Sequence, residues 1–374
     1  MEIEKLKNFI QDCHLNFLIG SGLSMPFLET VGNTEALLTE LSHNDTLEKW
    51  KIEIIRASIL GKFFETVVYK NLETADYKSM DAAMLTVLKQ YKTFLSTLNT
   101  ILTLRKNTLL SKQVNLFTTN VDLFLERGLE ENQLEFNDGF AGRMRPIFSL
   151  TNFKKSFLKR SSHYDNTSEM PVFNLLKVHG SLTWQTDGDR VVYFDPNDIK
   201  NVETKWVAIK PGCIPFDKSH TLDHFVATFG TRAVATGYSE FLEMYSKLAI
   251  VNPTKEKFQE TILNLNHYEM LRIFSNELEK ENSLLIILGF SLADEHIREI
   301  ILRSANSNPT LTILVYCYDE TAKIEIDLNI AKGNVPLKNN NLLTIAPITG
   351  STFDFTGLNS EVFVALLKKI GSNP

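Results

Sequence analysis

The residues of this chain best suited to chemistry stand in four short polar elements, each closing an apolar run. Gly20-Ser21-Gly22 follows the run 15–19, and Thr118-Thr119-Asn120-Val121-Asp122 follows 114–117. His179-Gly180-Ser181 follows 172–178, and Gly289-Phe290-Ser291 follows 284–288. A glycine turn lets backbone approach a pyrophosphate, and N–H groups at a helix start favour an anion. The same turn also serves simply to join a strand to a helix. Asn120 and Asp122 are short polar residues where a helix begins, so they can bind a ligand or cap that helix. His179 is the side chain type best matched to proton transfer near neutral pH, although a histidine beside an apolar strand is often structural. Gly289 and Ser291 can meet a nucleotide at a strand tip. Asp294, Glu295 and His296 read as the capped, solvated first turn of the next helix. Glu40 has about the spacing of a ribose-binding acid but fits the exposed side of a helix, and takes no role.

Apolar runs of this length that end in glycine or small polar residues read as buried parallel strands. Ligands of open α/β sheets sit beyond the carboxyl ends of such strands, so four tips from four distant segments point to one crevice. The periodicity predicts a helix over 1–12, a strand over 15–19, and a helix from Asn33 or Thr34 that carries Leu37, Leu38 and Leu41. Residues 46–106 have almost no strand pattern and read as a helical insertion, with a long amphipathic helix through Met84, Leu88, Tyr91, Phe94 and Leu98. Further strands are expected at 113–118, 172–178, 283–289, 311–318 and 342–348, and helices at 123–129, 256–281, 293–302 and 361–370. The stretch 185–260 is the least regular, with a short strand at 191–194 and irregular or helical structure after it; Pro211, Pro215 and Pro253 mark loops. The expected fold is α/β: a Rossmann-like parallel sheet with helices on both faces and a helical insertion. It forms one domain over 1–374, with the insertion at about 46–106 and an irregular one at about 185–260.

The bulk composition is that of a globular chain. There are 374 residues, 43% hydrophobic and 22% charged, with a net charge of −6. That balance disfavours indiscriminate nucleic-acid binding by the whole surface. Two local basic clusters, Arg143/Arg145 and Lys154/Lys155/Lys159/Arg160, read first as solvated loop. The stretch 283–293 is too short to span a bilayer, and the first twelve residues lack the apolar core of a signal peptide, so no membrane partner and a cytoplasmic location are expected. Cys13, Cys213 and Cys317 form no CxxC pair, which speaks against a zinc ribbon or a disulfide framework; no metal is expected.

Taken together, the four elements resemble the NAD-binding core of the sirtuin family. The family has a glycine-rich first turn, a Thr-Gln-Asn-Ile-Asp type segment, a His-Gly pair and a later Gly-Phe-Ser type turn, and this chain carries their counterparts in the same order. It departs from the protein deacetylases in having no zinc-binding cysteines after His179-Gly180, no recognisable acyl-lysine segment, and Ser24-Met25-Pro26-Phe27 where those enzymes have Pro-Asp-Phe-Arg. It is more similar to the sirtuin-like proteins of bacterial antiphage defence. That resemblance implies hydrolysis of NAD to ADP-ribose and nicotinamide in abortive defence, with NAD as substrate and no zinc. It further implies Asn120 and His179 as catalytic residues. Gly20, Ser21 and Gly22 would lie at the phosphates, and Thr119 and Asp122 near the nicotinamide side. Gly289 and Ser291 would contact the adenosine. A homo-oligomer, a HerA-like ATPase partner and a phage-derived trigger are implied as well. The alternatives are a non-catalytic module sensing NAD or ADP-ribose, an NAD-dependent protein deacylase, and a nucleic-acid-processing subunit of a motor complex.

Overall fold

A computed structural model describes residues 3–372, apart from 30–33, 108, 188–189, 194–196, 218, 230–235, 251–260 and 349. The expected cap Asn33, the strand end Phe194, Pro253 and the first residues of the helix expected from Glu256 lie outside the described residues.

The centre is a seven-stranded sheet. Its strands are β1 (His14–Ile19), β2 (Gln113–Thr118), β3 (Phe136–Asn137), β4 (Val172–Lys177), β5 (Ser283–Leu288), β6 (Thr312–Tyr316) and β7 (Leu342–Ile345). They lie in the order β7-β6-β5-β1-β2-β4-β3, and every pairing is parallel. Because both faces are covered, the inner strands are apolar at nearly every position. Phe17, Ile19, Leu116, Leu175, Ile286 and Leu288 turn to one face, against helices Ile3–Asp12, Ala82–Thr103 and Phe124–Glu131 and the C-terminal helical segment. Leu18, Phe117, Leu176, Leu285 and Ile287 turn to the other, against helices Thr261–Leu278 and Glu295–Ser307. The chain is therefore an α/β fold of Rossmann-like form.

One polar row crosses this apolar sheet. Asn16, Asn115, Asn174 and Asn137 are direct register partners on four neighbouring strands. Asn115 donates to Asn16 at 2.8 Å, Asn174 to Asn115 at 2.9 Å, and Asn137 to Asn174 at 3.0 Å. Three of the four amides donate to a neighbour, which makes their burial tolerable; among the described residues Asn16 Nδ2, at the end of the row, has no acceptor. A slip of one residue would break the whole row, so the ladder also fixes the register.

The segment 46–106 divides between two cores. Ala82–Thr103 covers the sheet, with Tyr91, Phe94 and Leu98 packed on it. Lys49–Phe63 and the π-helical turn Phe64–Tyr69 instead join residues of the later segment in a separate helical core. That later segment is more regular than expected for 185–260. Its described residues include helices Asn197–Ile209, Leu222–Thr228 and Tyr238–Ser246, together with strand Arg190–Tyr193. The apolar faces of these helices are short and pack on a helix more than a hundred residues earlier, so no local pattern announced them; Phe64, Trp206 and Phe241 meet there. Directly after His179, strand Gly180–Asp187 enters a five-stranded antiparallel sheet with Arg190–Tyr193, Ile147–Phe148, Phe140–Ala141 and Leu248–Ile250. Among the described residues no helix is long and apolar enough to cross a membrane.

Candidate functional site

The strand register brings the four polar elements to one height. Leu288, Ile19, Thr118 and Lys177, the last residues of β5, β1, β2 and β4, are successive register partners. Gly289, Gly20, Thr119 and Val178 therefore lie side by side just beyond the sheet, with strands about 4.8 Å apart. Asn120 and His179 follow two residues past paired positions on adjacent strands. The strand order changes sense between β1 and β5, since β2 and β4 continue to one side of β1 and β6 and β7 lie beyond β5. The tips meet at that switch point, where open α/β sheets take ligands.

The glycines at the switch point press two loops together. Gly20 N–H donates to Leu288 O at 2.9 Å and Gly22 N–H to Gly289 O at 3.0 Å. A Cβ on Gly20 would overlap Gly289 O and lie 2.8 Å from Phe290 Cα; one on Gly22 would lie 2.9 Å from Gly289 O. Gly289 has φ +61°, and a Cβ there would lie 2.7 Å from Leu23 N. This corrects the expectation that Gly20 and Gly22 offer their N–H groups to phosphate: both are taken up by protein carbonyls. The turn also leads into only one turn of 3₁₀ helix, Ser21–Ser24, with the next full helix at Thr34–Ser42. Ser21 and Gly22 are exposed, and Gly20 is buried.

Asn120 and Asp122 are buried in a network that centres on Ser24. Asn120 Nδ2 donates to Gly20 O at 3.1 Å and to Ser24 Oγ at 3.4 Å. Ser24 Oγ donates to Asp122 Oδ2 at 2.6 Å and lies 3.0 Å from the Tyr91 hydroxyl. Burial, followed by the Asp122 carboxylate, pushes the Tyr91 phenol well above its ordinary value, so the hydroxyl keeps its proton. Asp122 Oδ1 also accepts from Phe124 N–H at 3.3 Å, a local contact made from one residue before Leu123, which occupies the cap position of helix Phe124–Glu131. Asn120 is 6% exposed, and among the described residues its Oδ1 has no hydrogen-bond partner. A buried acceptor left in that state costs about 1–3 kcal/mol until something donates to it. Thr119 is half-buried, its N–H bound to Ile19 O at 3.3 Å.

His179 stands at the next tip, one-fifth exposed, with Nε2 3.4 Å from Asp294 Oδ2. Its ring centroid is 5.7 Å from that of His267, on helix Thr261–Leu278. The buried Lys177 ties this tip to its neighbour. Its Nζ donates to Asp122 O and, at 2.7 Å, to Glu126 Oε1, which also accepts from Ser181 Oγ at 3.1 Å. Ser291 is exposed, and its carbonyl accepts from Asn329 Nδ2 at 2.9 Å. Glu40 lies exposed on helix Thr34–Ser42.

Ser24, Tyr91, Lys177, Glu126 and Asp294 are the members that sequence reasoning missed or gave another role. Only Asp294 carried a usable signal, its short spacing after Gly289-Phe290-Ser291. Among the described residues no three His, Cys, Asp or Glu side chains gather as a metal would require. Three of the six basic residues at 143–160 pair with carboxylates: Arg145 with Asp187, Lys154 with Glu277 and Arg160 with Asp165. No family model matches the chain, and no curated protein matches it.

Proposed function

We propose that the chain hydrolyses NAD+ to ADP-ribose and nicotinamide, in antiphage abortive defence. The observation that carries this reading is the orphaned acceptor of buried Asn120, one strand from His179 at the switch-point crevice. An amide held by Gly20 O and Ser24 has its oxygen left to accept from a water molecule or a ribose hydroxyl. Asp122 acts through Ser24 to hold that amide in place. In the reaction the bond between C1′ and the nicotinamide nitrogen breaks, and its electron pair leaves with neutral nicotinamide. Water forms the new bond to C1′ and passes its proton to His179. Positioning water against an oxocarbenium-like centre is the main task of such a site. Ser21 faces the phosphates, Gly289 and Ser291 line the adenosine side, and Gly20 and Gly22 shape the crevice without donating to it.

A nucleic-acid role is less favoured, because much of the basic cluster is already neutralised by its own carboxylates. Ungated NAD hydrolysis would kill a host cell, so the reading includes a homo-oligomer of low basal activity. A second protein such as a HerA-like ATPase, or a phage-derived signal, would raise that activity. The test is incubation with NAD, alone and with the candidate ATPase, with products separated. Asn120→Ala and His179→Ala should each lower turnover by about 10²-fold or more while leaving the fold intact. Parent-like turnover in both variants, where the parent is active, would refute the assignment.

A further inference from the structure

We infer that Asp294 is a positioning residue for His179, one that holds the imidazole by Nε2 and leaves Nδ1 to receive the proton from water. The inference rests on the NAD-hydrolase reading for its kinetic part only.

Asp294 performs two tasks with two oxygens. Oδ1 accepts from Ile297 N–H at 3.2 Å and so caps helix Glu295–Ser307. Oδ2 is the oxygen 3.4 Å from His179 Nε2. A carboxylate that serves only as a cap has no reason to direct its second oxygen at an imidazole from another strand tip. The path to that place is itself informative. β5 and β4 are separated by β1 and β2, so the six residues from Gly289 to Asp294 must cross two strand tips to reach His179. The crossing starts where Gly289 seats against Gly22 and Leu23, and it passes through Leu292, buried and at φ +58°. A leucine in the left-handed region is unfavourable, and such residues gather at functional sites. Arg298 fastens the end of the loop, its guanidinium donating to Leu292 O at 3.2 Å and Ala293 O at 3.3 Å.

The chemistry follows from tautomers. Neutral imidazole has one N–H and one lone pair. A carboxylate at Nε2 selects the form with the proton there, which leaves the lone pair on Nδ1. A contact of 3.4 Å is of the kind that tightens when substrate fills a site.

Asp294→Ser and Asp294→Asn separate the two tasks. Serine and asparagine are both good N-caps. Serine cannot reach His179, and asparagine has a single acceptor oxygen for two donors. Both variants should fold with a parent-like melting temperature and keep KM for NAD within about threefold, while kcat falls about 10–10²-fold. A readout independent of turnover is the downfield imidazole N–H proton resonance of His179, identified by its loss in His179→Ala. It should be present in the parent and absent in Asp294→Ser. Parent-like kcat in both Asp294 variants, with Asn120→Ala inactive, would overturn the inference and leave the hydrolase reading standing. Lack of NAD cleavage by the parent in every condition would overturn the hydrolase reading, and the resonance alone would then decide on the contact. Its absence from the parent, or its survival in Asp294→Ser, would overturn the inference.

Discussion

Lys177→Met should destabilise the protein by removing the cation that joins the Asn120 and His179 tips. The Lys177 side chain is 4% exposed, and that of Glu126, whose carboxylate it binds at 2.7 Å, is 17% exposed. Removing one partner of a buried pair costs about 3–5 kcal/mol, mostly from the charge left behind. Glu126 retains some contact with water and Met fills part of the space, so the loss should be about 2–4 kcal/mol. Glu126→Gln in the same background removes the stranded charge and keeps an acceptor for Ser181. The double variant should therefore recover about 1–2 kcal/mol over Lys177→Met alone, a coupling that only contacting residues show. Urea denaturation at pH 7, followed by tryptophan fluorescence and far-UV circular dichroism, measures all three variants against the parent. A loss under about 1 kcal/mol for Lys177→Met, or a double variant less stable than the single, would refute the claim that this pair binds the tips.

Two other side chains give direct expectations. Burial works to raise the Glu277 carboxyl, but Lys280 and Lys154 more than offset it and hold its pKa below the usual 4.5. Its folded value is the depressed one, so its contribution is complete above pH 4.5 and is lost as pH falls through that lower value. Glu277→Gln should be less stable than the parent at pH 7, with the gap closing in acid; a gap that is constant with pH would contradict this. Burial also pushes the Cys317 thiol up to about 11. Iodoacetamide at pH 8 should label Cys317 in the folded protein about 10²-fold more slowly than after unfolding in urea, as read by peptide mass spectrometry. Equal rates would place that thiol at the surface.

Much of the fold was legible because parallel strands buried on both faces must be apolar along their length. β2 was read with its observed limits, and β1, β4 and β5 within a residue at each end. β3, only Phe136–Asn137, is too short to give a pattern. The asparagine ladder was equally silent, since each Asn looks like an interruption in its own strand and only lateral pairing shows four amides in one row. At the site, the strand-tip rule located Asn120 and His179 but could not reveal what holds them. Ser24 and Tyr91 reach Asn120 from 96 and 29 positions away in the chain, distances that no local periodicity encodes. The glycines were read as places of close approach to a ligand, and Gly20 and Gly22 are pressed against the Gly289 loop, because a sequence shows that backbone must come near something without showing what. Asp294 was hidden by its own second role: as a helix cap it already had an ordinary explanation.

The divided insertion gives the candidate site a mechanical connection. Val121 and Leu123, which flank Asp122, are buried in the helical core formed by Lys49–Phe63, Asn197–Ile209 and Tyr238–Ser246. Leu182, three residues after His179, is buried in the same core. Leu123 N–H donates to Asn71 Oδ1 at 3.2 Å, and Leu182 N–H to Val121 O at 3.3 Å. The tips that carry Asn120 and His179 are thus pinned on one side to the sheet and on the other to this second core. A shift of about 1 Å in a reacting group can cost about 10²-fold in rate. A partner that moved the helical core by that amount would act on both residues through Val121 and Leu182, without touching the crevice. The segment 46–106, through helix Lys49–Phe63, is therefore a lever for the proposed gate.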